Sequence, residues 1–182
     1  EGRDVTLALT GVLQLGTVTL SGDAAFTASD DITQSGPIVI SGLANFSSTN
    51  GSIALNNAAN DFQGPVSLAA TSPSETISVT DAVGDMTLAN VASGSTIDLT
   101  TTDAGGALTL TGLVSASDIT LTSSGSIEQS SGQMSITGTT TATASDDITL
   151  DRAANQLSGA VTATGDNVAV ATAGDLTADI TA

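Results

Sequence analysis

The chain has 182 residues, of which 40% are hydrophobic and only 2% aromatic: three Phe, no Trp and no Tyr. Two Arg, no Lys, no His and nineteen acids give a formal net charge of −17, which excludes nucleic acid and anionic membrane surfaces as partners, since both demand a basic patch. The lack of Cys excludes disulfides and thiol-ligated metals, and no stretch nears the roughly 20 apolar residues of a membrane-inserted helix.

The apolar share is carried by Ala, Val, Ile and Leu spread evenly along the sequence. That distribution argues against disorder and suits a thin, continuous core. The chain opens Glu1-Gly2-Arg3-Asp4 rather than with Met, and is read as an internal fragment or a processed product.

From Val5 onward the sequence is written in short apolar-x-apolar triplets, the period-two pattern of a strand with one buried face. Val5-Thr6-Leu7, Val18-Thr19-Leu20, Ile38-Val39-Ile40, Ile53-Ala54-Leu55, Val66-Ser67-Leu68, Ile77-Ser78-Val79 and Met86-Thr87-Leu88 lie in the first half. Ile97-Asp98-Leu99, Leu108-Thr109-Leu110, Ile119-Thr120-Leu121, Met134-Ser135-Ile136, Ile148-Thr149-Leu150 and Val168-Ala169-Val170 follow. The outer residues of each triplet point inward and the middle one faces solvent. Turn formers such as Ser21-Gly22-Asp23, Thr49-Asn50-Gly51 and Thr164-Gly165-Asp166 separate the triplets. No segment is long enough to hold a helix.

The heptapeptide Thr27-Ala28-Ser29-Asp30-Asp31-Ile32-Thr33 returns unchanged at Thr143 to Thr149. Ile53 through Leu68 aligns with Ile148 through Ala163, keeping the Leu, the Ala-Ala-Asn, the Gly and the Val, and Ile32-x-Gln34-Ser35 matches Ile127-x-Gln129-Ser130 at the same offset. Ile32 to Ile53 and Ile127 to Ile148 are equal intervals, so the elementary unit is about 21 residues and the longer repeat spans four or five units.

Short strands and turns at that period predict an all-β fold, a right-handed parallel β-helix (β-solenoid) of about 20–21 residues per coil, formed by residues 1–182 as a single segment. Coils stacked about 4.8 Å apart give roughly nine turns and a rod on the order of 40 Å. An antiparallel sandwich is the rival, disfavoured because two-residue hairpin signals at constant spacing are absent.

The stretch Asp31-Ile32-Thr33-Gln34-Ser35-Gly36, the run from Ile53 to Leu68 and its second copy from Ile148 to Val161 resemble the repetitive shafts of bacterial exoproteins and adhesins of the filamentous haemagglutinin type, exported by two-partner secretion. The resemblance implies an extended, secreted or surface-attached rod, extracellular or on the bacterial cell surface. On this reading the chain is a structural shaft segment without catalysis. The alternative is a self-assembling extracellular filament subunit whose solenoid ends stack head to tail. The expected partners are neighbouring solenoid coils or identical copies end to end, and a host or neighbouring-cell surface.

No catalytic, cofactor-binding or metal-binding residue is assigned, and the chain is not expected to be an enzyme. Asp30-Asp31 and Asp146-Asp147 have the chemistry of a glycosidase acid pair, yet each precedes an inward Ile, where Asp serves as a turn residue. The chain also lacks the aromatic platforms of sugar-processing clefts. No cofactor is expected. Loosely bound calcium on acidic turns is the one exception open to the chain, since no Gly-Gly-x-Gly-x-Asp array builds a defined site.

Asn60 and Asn155, with their flanking Ala pairs, are expected at one equivalent turn, where Asn tolerates left-handed backbone. Phe26, Phe46 and Phe62 are expected to stack inside. A flat outward ladder of Thr6, Thr19, Thr87, Thr109, Thr120 and Thr149 is weighed as an ice-binding surface and set aside, because Asp98, Glu128 and Ala54 interrupt it.

Overall fold

A computed structural model describes residues 3–182; Glu1 and Gly2, with which the chain opens, lie outside the described residues. Among the described residues every regular element is a β-strand, three to a coil. The first coil is β1 (Val5–Leu9), β2 (Leu13–Leu15) and β3 (Val18–Leu20), and the second is β4 (Ala24–Ala28), β5 (Ile32–Gln34) and β6 (Ile38–Ile40). The third is β7 (Ala44–Ser48), β8 (Ile53–Leu55) and β9 (Asp61–Phe62). Coil four holds β10 (Val66–Ala70), β11 (Ile77–Asp81) and the front half of β12 (Met86–Ser93), which turns a corner and gives its second half to coil five, ahead of β13 (Thr96–Thr101) and β14 (Leu108–Leu110). Coil six is β15 (Val114–Ala116), β16 (Asp118–Ser123) and β17 (Ile127–Gln129), and coil seven is β18 (Met134–Ile136), β19 (Thr140–Ala144) and β20 (Ile148–Leu150). Coil eight is β21 (Gln156–Leu157), β22 (Ala160–Thr164) and β23 (Val168–Val170), after which β24 (Thr177–Thr181) begins a further turn.

Every strand pairing is parallel, between one coil and the next. The chain is therefore a β-solenoid of about 8 turns with about 21 residues per coil, slightly fewer turns than the roughly nine expected. The antiparallel sandwich is excluded by the same pairings.

The second face is an unbroken ladder, β2-β5-β8-β11-β13-β16-β19-β22-β24. Along it Leu13, Ile32, Ile53, Ile77, Ile97 and Ile119 rest one upon another, and Ile32 through Ile119 are buried. Alternation does this locally: the triplet strands carry a buried–outward–buried pattern, so each coil lays two aliphatic residues per face on those below. One continuous core from Leu13 to Ala163 results.

The internal repeat does not map face onto face. In coils one to three the five-residue strand lies on the first face (β1, β4, β7) and shorter strands follow. In coils five to eight the long strand lies on the second face (β13, β16, β19, β22). Coil four is the transition, with two five-residue strands in succession, β10 and β11. Ile53 of β8 thus stands on the second face, whereas its repeat mate Ile148 of β20 stands on the third. The long repeat advances the chain by four coils and about one face.

That shift leaves a seam. The third-face ladder β3-β6-β9 stops at β9, and a new third-face ladder starts at Met86–Leu88 of β12. On the first face the β10–β12 register slips between Val66 and Ser67.

Candidate functional site

Two buried amide clips are the most conspicuous polar features of the interior. Asn60 and Asn155 are each fully buried. The Asn155 Nδ2 donates to Gln129 Oε1 and to the Leu150 carbonyl, at 2.8 and 3.1 Å. Its Oδ1 accepts from Gln129 Nε2 and from the Met134 N–H, at 2.8 and 2.9 Å. Asn60 repeats the arrangement with Gln34, Leu55 and Ile38, and also donates to the Thr80 carbonyl. Each Asn closes a tight turn over its Ala pair by donating its N–H to the carbonyl of Asn57 or Arg152. The two turns are built alike but stand at different corners, Asn60 after β8 on the second face and Asn155 after β20 on the third, and the reason for Asn also differs from the one expected. Among the described residues Ser74 is the only non-glycine at positive φ, so Asn is required for its amide, which fills both donor and acceptor demands inside the core, and not for left-handed backbone.

The paired acids sit on corners. Asp31 Oδ1 accepts the Ser52 N–H of the next coil at 2.8 Å, and Asp147 Oδ1 accepts from Asn167 Nδ2 at 2.7 Å. The Asp30 and Asp146 carbonyls accept from Ser48 Oγ and the Asp166 N–H. Asp23, Asp85 and Asp118 repeat the corner arrangement, accepting the backbone N–H of Leu43, Ala107 and Thr139 one coil on. Acid side chains here tie one coil to the next, in place of the local backbone bond expected of Asp30-Asp31 and Asp146-Asp147 as turn residues. At Asp118 two hydrogen bonds from Thr139, backbone and hydroxyl, hold the carboxyl below its usual range.

The three phenyl rings meet as expected, with one refinement. Phe26 and Phe46 stack in adjacent coils of the first face, with centroids 5.4 Å apart, while Phe62 comes from the third face and meets Phe46 edge-on at 6.2 Å. The outward threonines form no single row. Thr87 and Thr109 share a third-face column with Glu128 and Thr149, Thr120 stands on the second face above Asp98, and Thr6 is on the first.

Two elements of this interior escape a reading by triplets. Gln34 and Gln129 recur at the same offset as Asn60 and Asn155, and that shared offset is the sequence signal for the clips. Asp81 is the other. It is fully buried, its Oδ2 has no hydrogen-bond partner, and burial, aided by the neighbouring Asp61 charge, pushes its pKa up to about 7. The alternation Ile77-Ser78-Val79-Thr80-Asp81 already places it on the inward set.

Among the described residues no three metal-ligating groups cluster. An open groove bounded by Thr33, Gln34, Ser35, Ala54, Asn56 and Asn57 lies outside the first clip. It presents hydroxyls and neutral amides, and no nucleophile paired with a base.

Three parallel faces around a stacked aliphatic interior, tied at the corners by acids and internally by amide clips, define a repeat protein of the β-solenoid class. The chain belongs to the family described as repeats of unknown function (DUF5649), whose model matches residues 2–69 and 83–164. The unmatched interval between these stretches contains β11 and Asp81, where the long strand changes face. No curated protein and no solved structure is matched by the chain.

Proposed function

We propose that the chain is a structural rod, a shaft segment of a secreted or surface-attached bacterial adhesin that holds a binding region away from its base. The observation that carries this reading is the unbroken second-face ladder with its aliphatic core, a geometry that extends by adding coils and whose corner acids Asp23, Asp31, Asp85 and Asp118 each bond the next coil. The resemblance to filamentous haemagglutinin-type shafts supports the extracellular setting, and the charge of −17 supports a rod whose copies repel sideways. Loosely held calcium on the acidic corners belongs to the same reading. It predicts a higher melting temperature in millimolar calcium than in chelator, and identical curves would remove calcium from the account.

A second reading is a filament subunit, in which the same ladder continues between copies. The first and last strands each carry an unpaired edge, with Leu7, Leu9 and Ile180 bare at 40–43% exposure. Such edges take another coil, from the same chain or from another copy stacked head to tail, and the latter propagates.

Electron microscopy of the purified chain separates the two: short isolated rods support the shaft, and long uniform fibres support the filament. Binding of the chain to glycan arrays or epithelial cells tests whether the segment itself adheres. A globular particle of low axial ratio in solution scattering would overturn both readings.

A further inference from the structure

The seam between coils three and four is held by side chains where backbone pairing fails. β9 pairs with β6 beneath it and with no strand above. Three hydrogen bonds cross the gap: Asn60 Nδ2 to the Thr80 carbonyl at 3.0 Å, the Ala82 N–H to the Asn60 carbonyl at 3.0 Å, and the Phe62 N–H to Asp81 Oδ1 at 3.3 Å. Asp81 thus supplies the acceptor that a missing strand would have given Phe62. Its other oxygen is buried without a partner.

We propose that Asp81 is a proton-sensitive clasp over this break in the ladder, tight when its carboxyl is neutral and loosened when it ionises. A buried carboxylate with one oxygen unsatisfied is destabilised by desolvation, and protonation relieves it. Backbone N–H groups of Phe62, Val83 and Ala82 offset part of that cost, but desolvation outweighs them and no cation among the described residues faces the carboxyl. β8, β10 and the inward residues of β13 carry no charged group, and Asp98 of β13 is exposed. β9 brings Asp61, and the turn above brings Asp85 and Asp103, the latter accepting the Gly84 N–H. All three are acids. The two cations, Arg3 and Arg152, belong to coil one and to the loop after β20.

The sign follows from the direction of the shift. The closed seam keeps its proton up to about pH 7, whereas the opened segment releases it in the ordinary carboxylate range, so closure weakens as pH rises between those limits and levels off above them. From pH 6 to pH 8 the opening equilibrium rises about tenfold.

The test is amide hydrogen exchange on the intact chain at pH 6 and pH 8, corrected for the intrinsic rate, in wild type and Asp81→Asn. The expected result is a tenfold rise in opening for wild-type peptides spanning Thr80–Gly84, none for peptides spanning Ile119–Ser123, and a flat response in the variant. The same rise in the variant would assign the effect to general repulsion among the acids and overturn the clasp. No rise in wild type overturns it too. Should the variant not fold, a carbon-detected titration of the wild-type Asp81 carboxyl decides alone: a midpoint near neutrality supports the clasp and one in the ordinary carboxylate range refutes it.

Discussion

Gln129 and Asn155 lie amide to amide within the core, each donating to the other at 2.8 Å, although they belong to different coils. The pair welds the end of β17 to the turn that follows β20, and Asn155 also satisfies the Leu150 carbonyl and the Met134 N–H. Asn155 survives in the core because both of its amide N–H groups are donated and its oxygen accepts twice.

Removing one partner leaves the others stranded. Asn155→Ala is expected to destabilise the chain by about 3 kcal/mol, since several buried polar groups lose a partner at once. Gln129→Leu combined with Asn155→Leu should cost clearly less than the two single changes added together. Urea denaturation of the four proteins of this cycle measures the coupling. Strict additivity would show that the amides do not act as a pair.

Much of this architecture is legible in the amino-acid order, because a strand triplet such as Ile53-Ala54-Leu55 needs nothing beyond alternation to declare its inward residues. The turn pairing of Asn60 with Asn155 is legible in the same way. The face on which a repeat stands is not, since Ile53 and Ile148 open runs that share the Leu, the Ala-Ala-Asn, the Gly and the Val yet stand on different faces. That phase depends on which face carries the long strand, and coil four, with five-residue strands on both its first and second faces, is where it changes. The partner of Asn155 is only half legible: the shared offset ties Gln129 to Gln34, but Gln129 puts a polar residue at the outer position of its triplet, and stacking is what shows it to be an inward member of β17.

Ile97 sits between Ile77 and Ile119 in the second-face column, with no exposed surface. Ile97→Ala should cost about 3–4 kcal/mol through lost burial and the cavity left behind. In a one-dimensional stack the damage is local, so amide protection should fall most in β11, β13 and β16 and least in β2 and β22. Uniform loss along the rod would instead indicate that the coils unfold as one cooperative unit.

Gly51 is buried at the corner before β8, and a Cβ there would fall on the Asp30–Asp31 peptide of the coil below. Gly51→Ala is therefore expected to force adjacent coils apart at about 2–3 kcal/mol. Gly16 provides the control, since nothing lies within 4 Å of a Cβ built there. Gly16→Ala should leave the melting temperature within a degree or two of wild type, or raise it slightly through the reduced freedom of the unfolded chain. Equal losses at both positions would mean that close approach of backbones is not what Gly51 provides.

Asp118 accepts two hydrogen bonds through Oδ1, from the Thr139 N–H at 2.7 Å and the Thr139 hydroxyl at 2.8 Å. Both stabilise the ionised form, so its carboxyl titrates below the usual carboxylate range. An acid with a depressed folded-state pKa contributes stability that is complete above its unfolded value and disappears as pH falls through the folded one. Asp118 therefore acts in the opposite sense to Asp81, which favours the closed state at lower pH. Thr139→Val removes the hydroxyl donor while keeping the backbone one. It should move the Asp118 midpoint upward, toward the ordinary range but not all the way to it. A carboxyl-carbon titration of wild type and variant reads this directly, and an unmoved midpoint would show that the hydroxyl contributes nothing to holding the corner.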